Sequence, residues 1–372
     1  MENMELAKTG SKLGFGMMRM PMKDGQIDLE QVCKMVDAYL AAGFFHFDTA
    51  WGYHNGKSEE TLRKAVIERH PREKVVVATK MPIWAVEKQE DVQWIFDTQL
   101  ERTGAGYFDY YLIHAIDKGK VEKLTQYGVW DFVAEQKRKG LVKHMGFSFH
   151  DKAALLDEIL AAHPEVEFVQ LQLNYADWED DDVQARACYE ACMKRGVAVI
   201  VMEPVKGGSL AMLPEAARAV FKAARPEASI ASWAMRYCGS LEGVISVLSG
   251  MSDEAQMVDN IATMKNFEPF ADADRDALAK VQQIMAEVPT IPCTGCKYCV
   301  EDCPMKINIP QMLNIYNEML IYNNRDGQRG AYQTWCNPKA SVCIECGACE
   351  GRCPQHIEII ARLKDCVAAF ED

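Results

Sequence analysis

Val197-Ala198-Val199-Ile200-Val201-Met202 is a six-residue apolar run closed by Glu203-Pro204. Such a run is short for a helix and suits a buried β-strand. Runs of the same kind recur on both sides of it. Strands are expected at Phe44–Thr49, Val75–Lys80, Phe108–His114, His144–Ser148, Phe168–Leu173, Val197–Glu203 and Val244–Leu248, with Leu13–Met17 as a first one. Amphipathic helical patterns fall between them, at Leu29–Ala41, Glu59–Glu68, Val92–Arg102, Val129–Lys139, Ala153–Ala161, Val183–Arg195 and Ile230–Tyr237. Eight strands with helical crossovers predict an α/β chain folded as a closed parallel (β/α)8 TIM barrel, whose chemistry sits at the C-terminal strand ends. A doubly wound sheet is the rival. Its dinucleotide fingerprint begins in Gly14-Phe15-Gly16-Met17-Met18-Arg19 and fails at the third glycine, where Arg19 stands.

The 372 residues carry 41 Lys+Arg against 54 Asp+Glu, a net charge of −13, with 49% hydrophobic and 26% charged residues. That composition excludes a disordered chain and argues against a general nucleic-acid or anionic-membrane binder. Met1 to Lys8 lack the apolar stretch of a secretory signal, and no run approaches the roughly 18 residues of a membrane helix, so a cytoplasmic setting is expected. The length divides into a barrel over residues 1–285 and an appendage over 286–372.

The appendage is marked by cysteine. Of 14 cysteines, only Cys33, Cys188, Cys192 and Cys238 precede residue 290. Cys293-x2-Cys296-x2-Cys299-x3-Cys303-Pro304 is followed by Cys343-x2-Cys346-x2-Cys349-x3-Cys353-Pro354, each cysteine 50 positions after its counterpart. Three thiolates at this spacing wrap a corner of a [4Fe-4S] cube, and the fourth, before proline, serves the other cluster. One cluster then takes Cys293, Cys296, Cys299 and Cys353, the other Cys343, Cys346, Cys349 and Cys303. Zinc knuckles are the rival, but zinc needs neither the third cysteine nor the Cys-Pro ending. Cys336 and Cys366 fit neither run. Between the runs, Ile307 to Asn323 has helical periodicity, so the tail resembles a helical two-cluster ferredoxin.

The expected strand ends present Asp48, Lys80 and His114, with Tyr53 five residues after Asp48. Singly, each has an ordinary structural explanation. Together they suit the reduction of a carbonyl. A phenol titrates too high to be an efficient acid at neutral pH; a buried ammonium beside it lowers its pKa, and a carboxylate keeps that ammonium charged. A neutral histidine can hydrogen-bond the carbonyl oxygen. On these residues, and on Phe47-Asp48-Thr49-Ala50-Trp51-Gly52-Tyr53-His54-Asn55-Gly56, the chain resembles the aldo-keto reductases, in particular a branch fused to a ferredoxin-like domain.

The resemblance implies a catalytic tetrad of Asp48, Tyr53, Lys80 and His114 and an NAD(H) or NADP(H) cofactor. It implies nucleotide contacts from Ser148, Gln170, Met202, the loop Pro204, Lys206, Gly208 and Leu210, and Gly250, Gln256 and Asn260. The chain departs from the family pattern at Ser148-Phe149, at Met202, and in the loop from Ser249 to Gln256, which holds no cation for a 2′-phosphate. NADH is therefore expected to serve at least as well as NADPH. Trp51, Trp84 and Trp178 are candidate pocket walls. The expected partners are a small carbonyl or alcohol substrate and, if the clusters conduct, an electron-transfer protein; no flavin fingerprint is present. The alternative reading is a nicotinamide-sensing subunit that wires a partner without turning over a carbonyl. A barrel glycosidase is excluded because His114 occupies the fourth strand end, where a carboxyl is needed.

Overall fold

The computed structural model describes Leu6 and residues 10–371; the N-terminal reading of Met1 to Lys8 falls largely outside them. Eight parallel strands close into a barrel: β1 Leu13–Gly16, β2 His46–Asp48, β3 Val76–Met81, β4 Phe108–Ile116, β5 Val142–Phe149, β6 Phe168–Gln172, β7 Ala198–Met202 and β8 Val244–Ser249. All eight expected strands are present, and β8 closes onto β1 through Val247 and Leu13. The crossover helices follow the expected pattern, from Leu29–Ala41 to Ile230–Gly239. One differs: the expected helix over Glu59–Glu68 is a short α-helix, Ser58–Leu62, that widens into a π-turn at Arg63–Ile67.

Strand register sets the interior. Alternate side chains share a face of each strand, and the lower barrel is filled by a layer that includes Ala78, Tyr110, Leu112, Phe168, Ala198 and Ile200. Gly146 belongs here for a steric reason, because a Cβ would lie 2.4 Å from the Phe168 carbonyl oxygen and 2.7 Å from its ring. Two residues up the same faces come Asp48, Lys80, His114, Ser148, Gln170 and Met202, at or near the C-terminal ends.

The chain forms two compact units that do not follow the linear boundary at 285/286. One comprises Met1–Pro204 and Ala234–Phe270, the other Val205–Trp233 and Ala271–Asp372. The Cys-rich region therefore shares its unit with the segment after β7. In that unit Arg225 holds Asp274 through two nitrogens at 2.6 and 3.1 Å, tying helix Glu215–Ala224 to helix Asp272–Ala286.

The 50-residue repeat seen in the cysteines is also a repeat of backbone. Gly295 and Glu345, Lys297 and Gly347, and Lys306 and His356 all have φ between +52° and +74°. Each repeat has a short helix that contains the third cysteine of the run, Tyr298–Glu301 and Ala348–Arg352, then a long one, Ile309–Tyr322 and Ile359–Phe370. Ile309 and Ile359, and Leu313 and Leu363, are equivalent residues buried in one core. A further helix, Arg325–Trp335, lies between the repeats.

Candidate functional site

Lys80 is fully buried near the end of β3, and its ammonium has three oxygen neighbours. It donates to Asp48 Oδ1 at 2.6 Å, to the Thr49 carbonyl at 2.8 Å and to the Tyr53 hydroxyl at 3.4 Å. The chain brings Tyr53 there by a left-handed turn, with His54 at φ +51° and Asn55 at +55°, a conformation that L-residues rarely adopt. The turn is pinned from below. His54 Nε2 accepts from the Met20 N–H at 3.2 Å, and Ser58 joins Thr49 Oγ1 at 2.7 Å to the Met17 carbonyl at 2.9 Å. The rear of β3 is held by Glu59, which accepts from Thr79 and Gln99, each at 2.8 Å.

His114 completes the group from β4, its ring 6.0 Å from that of Tyr53 and nearly perpendicular to it. Burial, with help from Lys80, holds its pKa well below the ordinary value, so the imidazole is neutral at pH 7. Burial also raises Asp48, against the pull of Lys80. Lys80 itself is raised: burial works against its charge, and the Asp48 and Tyr53 contacts outweigh it. Tyr53 differs from the expectation. Lys80 does pull it down, but burial is the larger effect and the net shift is upward, with Asp48 and Glu203 adding to it. The phenol therefore keeps its proton across the neutral range.

Two buried atoms close to this group lack a hydrogen-bond partner among the described residues: Asp48 Oδ2 and His114 Nδ1. Gln170 Oε1, on β6, is a third such atom. An unpaired carboxamide oxygen at the barrel mouth fits a ligand that brings an N–H, as the nicotinamide amide does.

The remaining nucleotide positions are a mixed set. Ser148 Oγ accepts from the Ala115 N–H at 2.7 Å, which leaves its own O–H to donate. Met202 lies at the end of β7, half-buried, and Pro204 is buried. Gln256 is spent on its own loop, accepting from the Ser252 N–H and donating to Asp253 Oδ2 at 3.0 Å. Asn260 donates to Ser249 Oγ at 3.0 Å. The segment Lys206–Ala211 belongs to the Cys-rich unit and is fastened within it. Lys206 pairs with Glu318 at 3.2 Å, and Ser209 Oγ accepts from Asn324 and Gln328, each at 3.3 Å. Gly208, at φ +99°, and the buried Leu210 complete the turn. Of the three tryptophans, only Trp84 borders the tetrad, 4.8 Å from His114. Trp51 is covered by Arg102 at 3.9 Å, and Trp178 packs on Tyr189 and Tyr237.

One charged residue at this mouth was missed by sequence reasoning. Arg19 follows β1, and its guanidinium pairs with Glu203 Oε1 at 3.3 Å. Nothing in the local sequence marks that contact, which spans 184 positions.

In the other unit, one apolar pocket is lined by Cys293, Cys296, Cys299 and Cys353, and a second by Cys303, Cys343, Cys346 and Cys349. Each pocket gathers three cysteines of one run and the fourth of the other, the crossed sets expected from spacing. The thiols are free, and apolar walls with four sulfur donors suit a cubane.

Comparisons with known proteins divide the chain along its length. Residues 12–283 match the family model described as aldo/keto reductase family, and residues 292–358 match a 4Fe-4S dicluster domain. The chain is 27% identical over 200 residues to an aldo-keto reductase of Mycolicibacterium smegmatis, covering 54% of this chain and 66% of that protein. It is 24% identical over 309 residues to L-galactose dehydrogenase of Arabidopsis thaliana, covering 77% and 95%. The matched region spans only about half to two thirds of several such relatives, for example 57% of a probable aldo-keto reductase of Glycine max. Among solved structures, the holo form of aldo-keto reductase AKR11C1 from Bacillus halodurans aligns with a TM-score of 0.57 at 21% identity, covering 73% of this chain and 92% of that one. An aldo-keto reductase from Klebsiella pneumoniae in complex with NADPH aligns at 0.59 and 18%, covering 73% and 90%. These structural likenesses bear on the barrel fold.

Proposed function

The chain belongs to the aldo/keto reductase family and carries a 4Fe-4S dicluster domain, and from that premise we propose that it reduces an aldehyde or ketone to an alcohol with NADH or NADPH. The observation that carries the reading is the Lys80 ammonium, wholly buried and shared among Asp48, Thr49 and Tyr53. A structural ion pair would need Asp48 alone. The third contact directs the charge onto a phenol at the open end of the barrel.

The nicotinamide, when bound, supplies a hydride. Tyr53 holds the proton that the carbonyl oxygen needs as negative charge develops there, and its raised pKa keeps that proton in place at neutral pH. Lys80 stabilises the phenolate left behind. Asp48 keeps Lys80 charged and fixed, so the stabilisation costs no reorganisation during the reaction. Neutral His114 is a hydrogen-bond donor for the same oxygen. Gln170 and Ser148 orient the carboxamide. These four tetrad roles are the assignment we make for Asp48, Tyr53, Lys80 and His114.

In the other unit, Cys293, Cys296, Cys299 and Cys353 would hold one cubane and Cys343, Cys346, Cys349 and Cys303 the second. Such clusters supply one-electron storage. Cys296 and Cys346 are exposed, placing one ligand of each set at the surface, where a redox partner could reach it. No helix among the described residues is long and apolar enough to cross a membrane, and the reducing cytoplasm is the setting we propose for the clusters.

The test is a panel of aldehydes and ketones assayed with NADH and with NADPH on anaerobically purified protein. Steady consumption of cofactor with stoichiometric alcohol is the expected result. Nucleotide binding without turnover on any carbonyl would favour a sensing subunit and overturn the reading.

A further inference from the structure

Gly250 follows β8 at the barrel mouth, and its φ is not among the positive values of this chain, so conformational freedom does not explain the glycine. Space does. A Cβ at residue 250 would stand 3.0 Å from Cβ of Arg19 and 3.1 Å from both its Cγ and Cδ. The absence of a side chain lets the whole stem of Arg19 lie across the loop. The guanidinium then reaches Glu203, just beyond β7, at 3.3 Å. Arg19 thus starts from the end of β1, crosses the end of β8 and finishes at the end of β7, three neighbouring strands of one unit.

That path crosses the place where (β/α)8 barrels most often hold a phosphate, between the loops after the seventh and eighth strands. We infer that Arg19 is a phosphate ligand for the nucleotide, an assignment that rests on the proposed use of NAD(P)H. The loop from Ser249 to Gln256 carries no cation of its own, and Gly250 admits one from a distant segment.

The resting contact is suited to exchange. Arg19 and Glu203 are 46% and 35% exposed, and a half-exposed pair of this kind contributes only about 0–1 kcal/mol. A phosphate offers the guanidinium two oxygens and more charge than one carboxylate, so it competes effectively for the fork. Glu203 is itself held at φ +53°, a strained setting for an L-residue. Its charge is also felt at Tyr53, so Arg19 neutralises a carboxylate beside the tetrad until the phosphate arrives.

The experiment titrates NADPH, NADH and 2′,5′-ADP against full-length holoprotein and against Arg19→Met, Arg19→Lys and Gly250→Ala. Arg19→Met is expected to weaken NADPH at least tenfold, and Arg19→Lys to restore part of the loss. Gly250→Ala keeps the charge but displaces the stem, so it is expected to weaken NADPH in the same direction should Arg19→Met fold poorly. A loss confined to NADPH and 2′,5′-ADP places Arg19 on the ribose phosphate; an equal loss for NADH places it on the pyrophosphate. Unchanged binding of all three probes in both Arg19→Met and Gly250→Ala overturns the inference while leaving the reductase reading intact. A wild-type protein that binds none of them overturns both.

Discussion

The barrel mouth and the cysteine pockets are both built for a ligand, and they are prepared for it in opposite ways. At the mouth, Lys80, Asp48 and Tyr53 are already joined by hydrogen bonds, with Lys80 and Asp48 no more than 2% exposed. The charges are fixed by protein before a substrate arrives. In the pockets, the eight sulfurs range from buried to exposed, and no disulfide joins any of them. What converges there is backbone, through the paired left-handed residues 50 positions apart. The first site is held together by its own polar groups, and in the second the proposed iron would be what joins the donors. Damage should therefore act locally and chemically in one, and on structure in the other.

The sharpest contrast comes from Lys80→Met. Removing the ammonium leaves Asp48 buried without its partner and the Tyr53 phenolate without a counter-charge. Carbonyl reduction is expected to fall roughly 10²–10⁴-fold, the weight of a general acid, while iron content stays at the wild-type value. A parallel loss of iron would mean that the two regions are not prepared independently.

Next come Cys303→Ser and Cys353→Ser. Because the pocket sets are crossed, Cys303→Ser is expected to impair the cluster held by the second run, and Cys353→Ser that held by the first. Each variant should drop from about eight irons toward about four. Spectra that instead show each variant losing the cluster of its own run would break the crossed assignment.

A smaller effect separates the regions by pH. His46, buried at the barrel floor with both ring nitrogens unpartnered among the described residues, is pushed down to about 3, by burial first and Lys80 second. Its folded pKa lies below its unfolded one, so its contribution is complete above about 6.5 and is lost as pH falls toward about 3. Denaturant unfolding across that window should show stability falling by at most about 1.4 kcal/mol per pH unit for this group. His46→Leu should remove that share of the slope and leave the share of His114.

The smallest expected effect is at the surface of the Cys-rich unit. Arg352 pairs with Asp302 at 2.5 Å, joining equivalent positions of the two repeats, yet the side chains are 60% and 43% exposed. Arg352→Ala is expected to cost no more than about 1 kcal/mol in chemical unfolding. A larger loss would show that the repeats depend on this bridge as well as on their shared core.

How legible each region is from sequence follows the same division. The grouping of the eight cysteines proposed as cluster ligands could be read because their spacing is local, two or three residues, as a cubane corner requires. The barrel strands could be read because each is a short apolar run between amphipathic helices. The tetrad needed chemistry as well as pattern, since Asp48, Lys80 and His114 are ordinary singly and meet only when the barrel closes. The helix Arg325–Trp335 was not anticipated because Gly327 and Gly330 dilute its pattern; its first turn is capped instead by Asn324, which accepts from Gly327 N–H at 3.1 Å. The grouping of Val205–Trp233 with the Cys-rich unit was not legible, because shared packing, unlike composition, leaves no mark on the chain. Arg19 was visible only as the residue that spoils a glycine fingerprint. Its contacts lie with Gly250 and Glu203, which no local reading connects to it.

The most direct test of the preformed site is Tyr53→Phe, which removes one oxygen and leaves the ring in place. Single-turnover and steady-state reduction of a carbonyl substrate should fall roughly 10²–10⁴-fold, with nucleotide affinity and iron content unchanged. In the wild type, the rate should hold level through neutral pH and decline only in the alkaline range, where the raised Tyr53 phenol loses its proton. A variant that retains most of its activity, or a wild-type rate that already falls near neutral pH, would contradict the assignment of Tyr53 as the proton donor.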